Sequence, residues 1–331
     1  MFDDGLVKRA FCAARRAYPA QPQALALPEE VARTEAIGYV GKSSVFYSGD
    51  LVAKYLPNLK SETLPSGPLN AAYMREAVTF GVTASEIMVA FRGTLPPGFK
   101  EFGLSGADWI NDARAEMIPV KDRLYRVHRG FYFAMSGMWK AVKKQIDDLV
   151  AAHPGLPVCF TGHSKGGALA QIAAMLFKKG GGGVTVYVCT FASARTGDAE
   201  FVKAFDAAVD EGRRYEYGAD IVPYLPPRSG EVAALLGMPP IEIAFLAGYQ
   251  PAGDVYYLPM LPAGQVPTQG AAPVRIQMAA STQALAAIRT AATAQGITLP
   301  ALSLSMMLRQ FWVAENHDIA PGSGYDRWLF R

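Results

Sequence analysis

The sequence predicts an α/β fold with a mostly parallel central sheet and helices on both faces. Three observations predict it. From Glu86 to Val222, short apolar runs alternate with helical patterns at regular spacing. The run Val184–Phe191 (VTVYVCTF) is β-rich and continuously apolar, as a strand buried on both faces must be. Gly166–Phe177 is apolar all round, which suits a helix sealed inside the molecule.

The elements follow in order. The opening MFDDGLVKRAFCAARR carries two early aspartates and charges throughout, and reads as an amphipathic helix. It lacks the basic, apolar, small-residue order of a signal peptide, so the expected location is cytoplasmic, or outside the cell by a leaderless route. Glu86–Arg92 is the first strand of the alternating series. Phe131–Val150 places Trp139, Val142, Ile146 and Leu149 at helical spacing, with Lys143, Lys144, Asp147 and Asp148 on the outer face. Pro157–Gly162 is the next strand, and the Gly166–Phe177 helix closes at Lys178, Lys179 and a run of glycines from Gly180 to Gly183. Asp198 caps a helix that runs to about Val209, and Tyr215–Val222 reads as the last strand of the series.

Beyond it, Arg228–Ala272 is rich in Pro and Gly with aromatic clusters, and helical patterns recur near Thr282–Ala294 and Ser303–Ala314. The expectation is one domain over 1–331, with a lid candidate at 95–111 and a cap-like insertion over about 228–310. Glycines flank Phe99, Phe102, Leu104, Trp109 and Ile110 in the lid candidate, as a mobile cover requires. With the apolar stretch Val232–Gly248 it offers a rim that either docks on a lipid–water interface or packs on the sheet or on another copy.

Composition excludes several classes. The chain has 331 residues and a mass of 35.6 kDa; half of it is apolar, 18% is charged, and its mean hydropathy is +0.11. Such a chain folds around a large core and is not disordered. A net charge of +3 without a Lys/Arg stripe does not suit nucleic acid. No apolar run reaches the roughly 18 residues of a membrane span; Val232–Gly248 comes closest and is broken by Pro239, Pro240 and Glu242. The three cysteines, Cys12, Cys159 and Cys189, lack metal spacing, and the latter two read as small core hydrophobes. Four histidines, His128, His153, His163 and His317, are few for metal-assisted hydrolysis, and no dinucleotide or phosphate fingerprint occurs. No metal and no cofactor are expected.

The sharpest chemical feature is Gly162-His163-Ser164-Lys165-Gly166, a G-x-S-x-G sequence between a β-rich run and a buried helix. That context puts the Ser164 hydroxyl on a tight turn at the C-terminal edge of the sheet, above a helix N-terminus. A serine hydroxyl needs a base. His163 leaves the turn in another direction, and His128 and His153 precede the serine. In the order nucleophile, acid, base only His317 is available. Among Asp198, Asp206, Asp210, Asp220 and Asp254, Asp220 is favoured as acid because it ends an apolar strand at the edge that carries Ser164. Lys165 supplies one oxyanion N–H from its backbone. The loop Arg92-Gly93-Thr94 offers a second donor at Thr94, although an ordinary turn with a buried ion pair explains that loop equally well.

Taken together, Val89–Thr94 (VAFRGT), Val127–Phe131 (VHRGF), Phe160–Ala170 (FTGHSKGGALA), Thr190–Phe201 (TFASARTGDAEF) and Ala219–Pro227 (ADIVPYLPP) resemble the successive blocks of class 3, fungal-type lipases of the α/β-hydrolase fold. The resemblance covers about half of the chain. It implies Ser164 as nucleophile, Asp220 as acid, His317 as base, and Thr94 with Lys165 as oxyanion hole. The chain departs from the family in Lys165, where leucine is usual, and in Ala192 and Ala194, where glycine and proline are usual; these changes are expected to be neutral. The lid candidate and the 97 residues from Asp220 to His317 are longer than the family's pattern, which leaves the substrate preference open.

The expected activity is that of a serine carboxylester hydrolase of lipase type acting on acylglycerol esters. Phospholipase A1 and short-chain esterase activity are the neighbouring alternatives. A hydrolase fold used only for binding is the alternative from another class, disfavoured because every triad and oxyanion position holds a competent residue.

Overall fold

A computed structural model describes residues 2–17, 40–47, 76–93, 117–181, 183–218, 220, 222–226, 248–261, 265–268, 271–276, 317–320 and 322–330. Helix α1 (Asp4–Arg16) is followed by strands β1 (Val40–Tyr47), β2 (Glu76–Val82) and β3 (Ile87–Phe91). A ribbon of β4 (Met117–Pro119) and β5 (Arg126–His128) leads into α2 (Arg129–Ala152). Then come β6 (Val158–His163), α3 (Lys165–Lys179), β7 (Val186–Phe191), α4 (Ala199–Ala208), β8 (Glu211–Tyr217), β9 (Asp254–Leu258), β10 (Val274–Ile276) and α5 (Gly324–Leu329).

Among the described residues, one sheet has the order β1-β2-β3-β6-β7-β8-β9-β10. The strands from β3 to β9 in this order are parallel, and antiparallel pairs close both ends. The period-2 alternation of a strand divides its side chains between two cores. Ile87, Val89, Phe91, Val158, Phe160, Val186 and Val188 pack with α2, α3 and α4. Met88, Ala90, Cys159, Cys189 and Phe191 pack with α1 and α5 on the other face. Cys159 and Cys189 are fully buried, in keeping with their reading as core hydrophobes.

α1 begins at Asp3, whose carboxylate accepts from Leu6 N at 2.7 Å. Its amphipathic pattern is more deeply covered than the sequence suggests: Leu6, Ala10, Phe11, Cys12, Ala13 and Ala14 are buried. Even its charges have inward partners. Arg9 grips Glu86 with two nitrogens, one contact being 2.7 Å, and the buried Arg15 pairs with the buried Asp326 at 3.2 Å. On α2, by contrast, Lys143–Asp147 and Lys144–Asp148 pair in solvent at 2.6 and 2.5 Å, as the outer face of an amphipathic helix should.

The sheet extends further than the sequence reading allowed. Tyr215–Val222 is not the last strand: β8 ends at Tyr217, and β9 continues the parallel series beside it. Strands 254–258 and 274–276 therefore place part of the stretch expected as a cap within the central sheet. Short strands between Pro- and Gly-rich segments give little periodicity to read. β1 and β2, of eight and seven residues, are also absent from the sequence reading. The lid candidate 95–111, most of the apolar rim 232–248 and the helical patterns 282–294 and 303–314 lie outside the described residues. No described helix is long and apolar enough to cross a membrane.

His128 caps α2, its Nδ1 accepting from Phe131 N at 3.4 Å while its ring stacks on Phe131. This cap requires a neutral imidazole, and burial holds the His128 pKa down at about 4. The unfolded chain takes up the proton near the ordinary value of about 6.5, before the native state does. The stability held above that value is therefore lost as pH falls from about 6.5 towards 4, by roughly 1.4 kcal/mol per unit. Chemical unfolding of wild type and His128→Asn across this range checks it: the variant keeps a cap acceptor, and its pH slope is shallower by that amount.

Candidate active site

The site starts with a close approach. A Cβ added at Gly166 would lie 2.9 Å from Gly93 N and within hard contact of the Phe91 carbonyl, and one at Gly162 would lie 2.9 Å from Gly167 N. Only glycine lets the start of α3 pass this near the ends of β3 and β6. Between these glycines the chain reverses at Ser164, which adopts φ 60° and ψ −130°. Such a conformation costs a non-glycine residue of order 1–3 kcal/mol and persists only where its surroundings impose it. They do so here: Ser164 N donates to Phe191 O at 3.0 Å, and Ser164 O accepts from Gly167 N at 3.0 Å and from Ala194 N at 3.4 Å.

Asp220 lies beyond the C-terminal end of β8, two strands from β6. Its carboxylate is buried and satisfied from three sides. His317 Nδ1 approaches both oxygens, at 3.0 and 2.9 Å; Val222 N donates to Oδ1 at 3.0 Å; Tyr325 Oη donates to Oδ2 at 3.1 Å. With Nδ1–H turned to the carboxylate, the neutral His317 keeps Nε2 as its acceptor. The His317 ring sits 4.4 Å, centroid to centroid, from that of His163, the residue before Ser164. The structure thus brings Ser164, Asp220 and His317 to one edge of the sheet. Lys165 opens α3 directly after Ser164, while Thr94 falls outside the described residues.

The remaining histidines and aspartates have other tasks. His128 caps α2, and His153 lies at its C-terminal end. Asp198 caps α4 through Phe201 N at 2.9 Å and pairs with Arg126 at 3.1 Å. Asp210 pairs with Lys178 at 2.7 Å, and Asp206 is exposed.

Tyr325 is the residue that sequence reasoning missed. It is fully buried, and its oxygen also accepts from Tyr217 N at 3.0 Å. Burial pushes its phenol well above the ordinary range, so it stays a protonated donor to Asp220. Gly324 lies so near the Tyr217 ring that a Cβ there would enter it, and this fixes the approach of α5. The sequence signal was slight: a Gly-Tyr pair in a short polar stretch eight residues beyond His317. Behind Asp220 lies a second polar layer in which buried Arg214 pairs with Glu216, whose carboxyl is pushed up by burial.

Residues 88–230 match the family described as Lipase (class 3). Among curated proteins, the chain is 34% identical over 101 residues to a secreted mono- and diacylglycerol lipase of Fusarium solani, covering 30% of each. It is 32% identical over 113 residues to lipase A of Sodiomyces alcalophilus, covering 30% of this chain and 27% of the other. The matched part thus spans under a third of these relatives' own lengths. Among solved structures, it is similar to a mutant form of MDLA from Penicillium cyclopium, with TM-score 0.55, 20% identity, and coverage of 98% of this chain and 95% of the other. It is also similar to the Rhizomucor miehei lipase in its native propeptide complex, with TM-score 0.53, 20% identity, and coverage of 82% and 71%. The resemblance read from the five sequence blocks is borne out over 88–230, and the fold is that of the α/β-hydrolases.

Tyr325→Phe removes one donor from a buried carboxylate and one acceptor from a buried N–H. The expected cost is about 1.5–3 kcal/mol of stability, the range for hydrogen bonds to charged groups. Urea unfolding of the two proteins measures it, and equal stabilities would mean that the hydroxyl does not hold Asp220.

Proposed function

We propose that this chain, which carries a class 3 lipase segment over residues 88–230, is a serine carboxylester hydrolase of lipase type that cleaves acylglycerol esters through an acyl-enzyme on Ser164. The observation that carries the reading is the hydrogen bonding of His317 Nδ1 to the buried Asp220 carboxylate, beside a serine held in a strained turn. Ser164 Oγ attacks the ester carbonyl while His317 Nε2 takes its proton. Asp220 keeps the imidazole in the tautomer that leaves Nε2 open, and stabilises the imidazolium that forms. The oxyanion is held by the Lys165 N–H, on the first turn of α3, and by Thr94. The imidazolium then protonates the leaving alcohol, which departs, and water repeats the sequence to release the fatty acid and restore Ser164.

Acylglycerols are favoured as substrates because the Fusarium solani relative is named a mono- and diacylglycerol lipase and the matched family is that of lipases. The apolar residues of 95–111, Trp109 and Ile110 among them, belong in this reading to a lid whose opening brings the site to a lipid–water interface. The rest of the single domain supports the sheet edge that carries the site.

Hydrolysis of p-nitrophenyl butyrate and p-nitrophenyl palmitate by wild type and Ser164→Ala tests the proposal. The expected result is turnover of both esters that falls by several orders of magnitude in the variant. Butyrate turnover alone makes the protein a short-chain esterase. Turnover of a phosphatidylcholine but of neither ester makes it a phospholipase. Turnover of all three that survives in Ser164→Ala overturns the assignment.

A further inference from the structure

His163, the last residue of β6, is buried, and its Nε2 lies 2.8 Å from the main-chain carbonyl oxygen of His317. A carbonyl can only accept, so Nε2 carries the proton and donates. The two rings also touch, at 4.4 Å between centroids and 36° between planes. One residue therefore joins the turn that carries the expected nucleophile to the segment that carries the expected base, across 154 positions of sequence.

We propose that His163 is a positioning residue for the hydrolytic reaction: it grips the backbone of His317 and so sets the distance between that imidazole and the Ser164 hydroxyl. The inference rests on the hydrolase reading and deepens it. His317 is held at two points that act on different parts of it. Asp220 holds the ring through Nδ1 and so fixes its tautomer, but a ring held at one nitrogen can still swing about it. His163 holds the main chain, and because it comes directly before Ser164 in β6, any shift of the strand end carries the nucleophile and this grip together.

The role needs a neutral imidazole with one settled tautomer. Burial, with the neighbouring His317 adding to it, lowers the His163 pKa well below its ordinary value, so the residue stays uncharged where a serine hydrolase works. A cation at this point would oppose the positive charge that His317 acquires when it takes the serine proton. The grip commits Nε2 to donation, and the lowered pKa makes the remaining nitrogen, Nδ1, a poor rival base despite its place beside Ser164.

The test compares His163→Leu and His163→Gln, since the glutamine amide reaches the position of Nε2 and can donate to the same carbonyl. The expected result on p-nitrophenyl butyrate is a kcat lower by about 100-fold in His163→Leu, the scale for a misplacement near 1 Å, with KM within about twofold. His163→Gln recovers at least about tenfold of that loss, as a restored donor requires. A second readout does not depend on turnover. The far-downfield proton signal of His317 Nδ1–H is retained in Ser164→Ala and His163→Gln and is broadened away in His163→Leu. If His163→Leu does not fold, His163→Asn, whose amide falls short of the carbonyl, takes its place in both measurements. A leucine variant with wild-type kcat, a loss confined to KM, or a glutamine variant as impaired as a folded leucine variant overturns the proposal. Absence of Ser164-dependent hydrolysis in wild type counts against the hydrolase reading alone, and the proton signal then decides on His163.

Discussion

The arrangement at the sheet edge depends on how near the start of α3 lies to the ends of β3 and β6. The Gly162 and Gly166 positions have no room for a Cβ, and Gly167 packs against Ser193, where an added Cβ would sit 2.6 Å from the serine side chain. Insert a methyl group and the helix must retreat. The turn at Ser164 would then open, because its φ of 60° is enforced by its bonds to β7 and to α3 rather than chosen by the residue. The same approach aims the N-terminus of a buried helix at the serine, where orphan N–H groups favour developing negative charge. Strain, helix placement and the electrostatics of the serine are consequences of one packing constraint.

The other half of the site is secured from the chain's far ends. α1 and α5 pack on the sheet face opposite α2, α3 and α4, and the Arg15–Asp326 pair ties them together. A buried ion pair contributes little net stability, yet breaking one costs about 3–5 kcal/mol, so it resists rearrangement more than it strengthens the fold. Here the resistance is useful. Asp326 follows Tyr325, whose hydroxyl reaches Asp220, which in turn meets His317. Trp328 fastens the same short helix to the sheet through Pro259 O at 2.8 Å. A six-residue helix would not hold such a position by itself.

Much of this was legible in the sequence, and the failures have physical causes. Periodicity gave α2, an all-round apolar run gave α3 and a capping aspartate gave α4, each to within a few residues, and the order of chemistry-bearing residues led to Ser164, Asp220 and His317, which the fold brings together. The strands towards the sheet's two ends were not legible because β1, β9 and β10 are short or polar, and their pairing is settled by neighbours distant in sequence. Tyr325 carried no local mark of its task, since a hydrogen bond spanning 105 positions leaves no periodicity. Ala192 was expected to stand neutrally where glycine is usual. It adopts φ 50° with its N–H bound to Tyr215 O at 2.9 Å, so the missing glycine costs of order 1–2 kcal/mol at that turn. His163 leaves the turn in another direction, as its place beside Ser164 implies, but what it meets there is visible only in three dimensions.

The polar groups near the site share one electrostatic logic. Burial raises the cost of every charge, and the fold answers by keeping donors neutral wherever a neutral donor suffices. Tyr325 remains a phenol and His163 an uncharged imidazole, both held so by desolvation, while Asp220 is ringed by three donors. In the proposed reaction, a carboxylate stabilised by dipoles rather than by a cation keeps its attraction for an imidazolium formed on His317. An arginine or lysine bound directly to Asp220 would satisfy the same carboxylate but compete for its charge at the moment the proton moves. The buried Arg214 stands one layer back and is paired with Glu216 instead. In the proposed reaction this arrangement sets the Asp220 carboxylate where positive charge develops, and the cost of burying it is met by the hydrogen bonds from His317, Val222 and Tyr325.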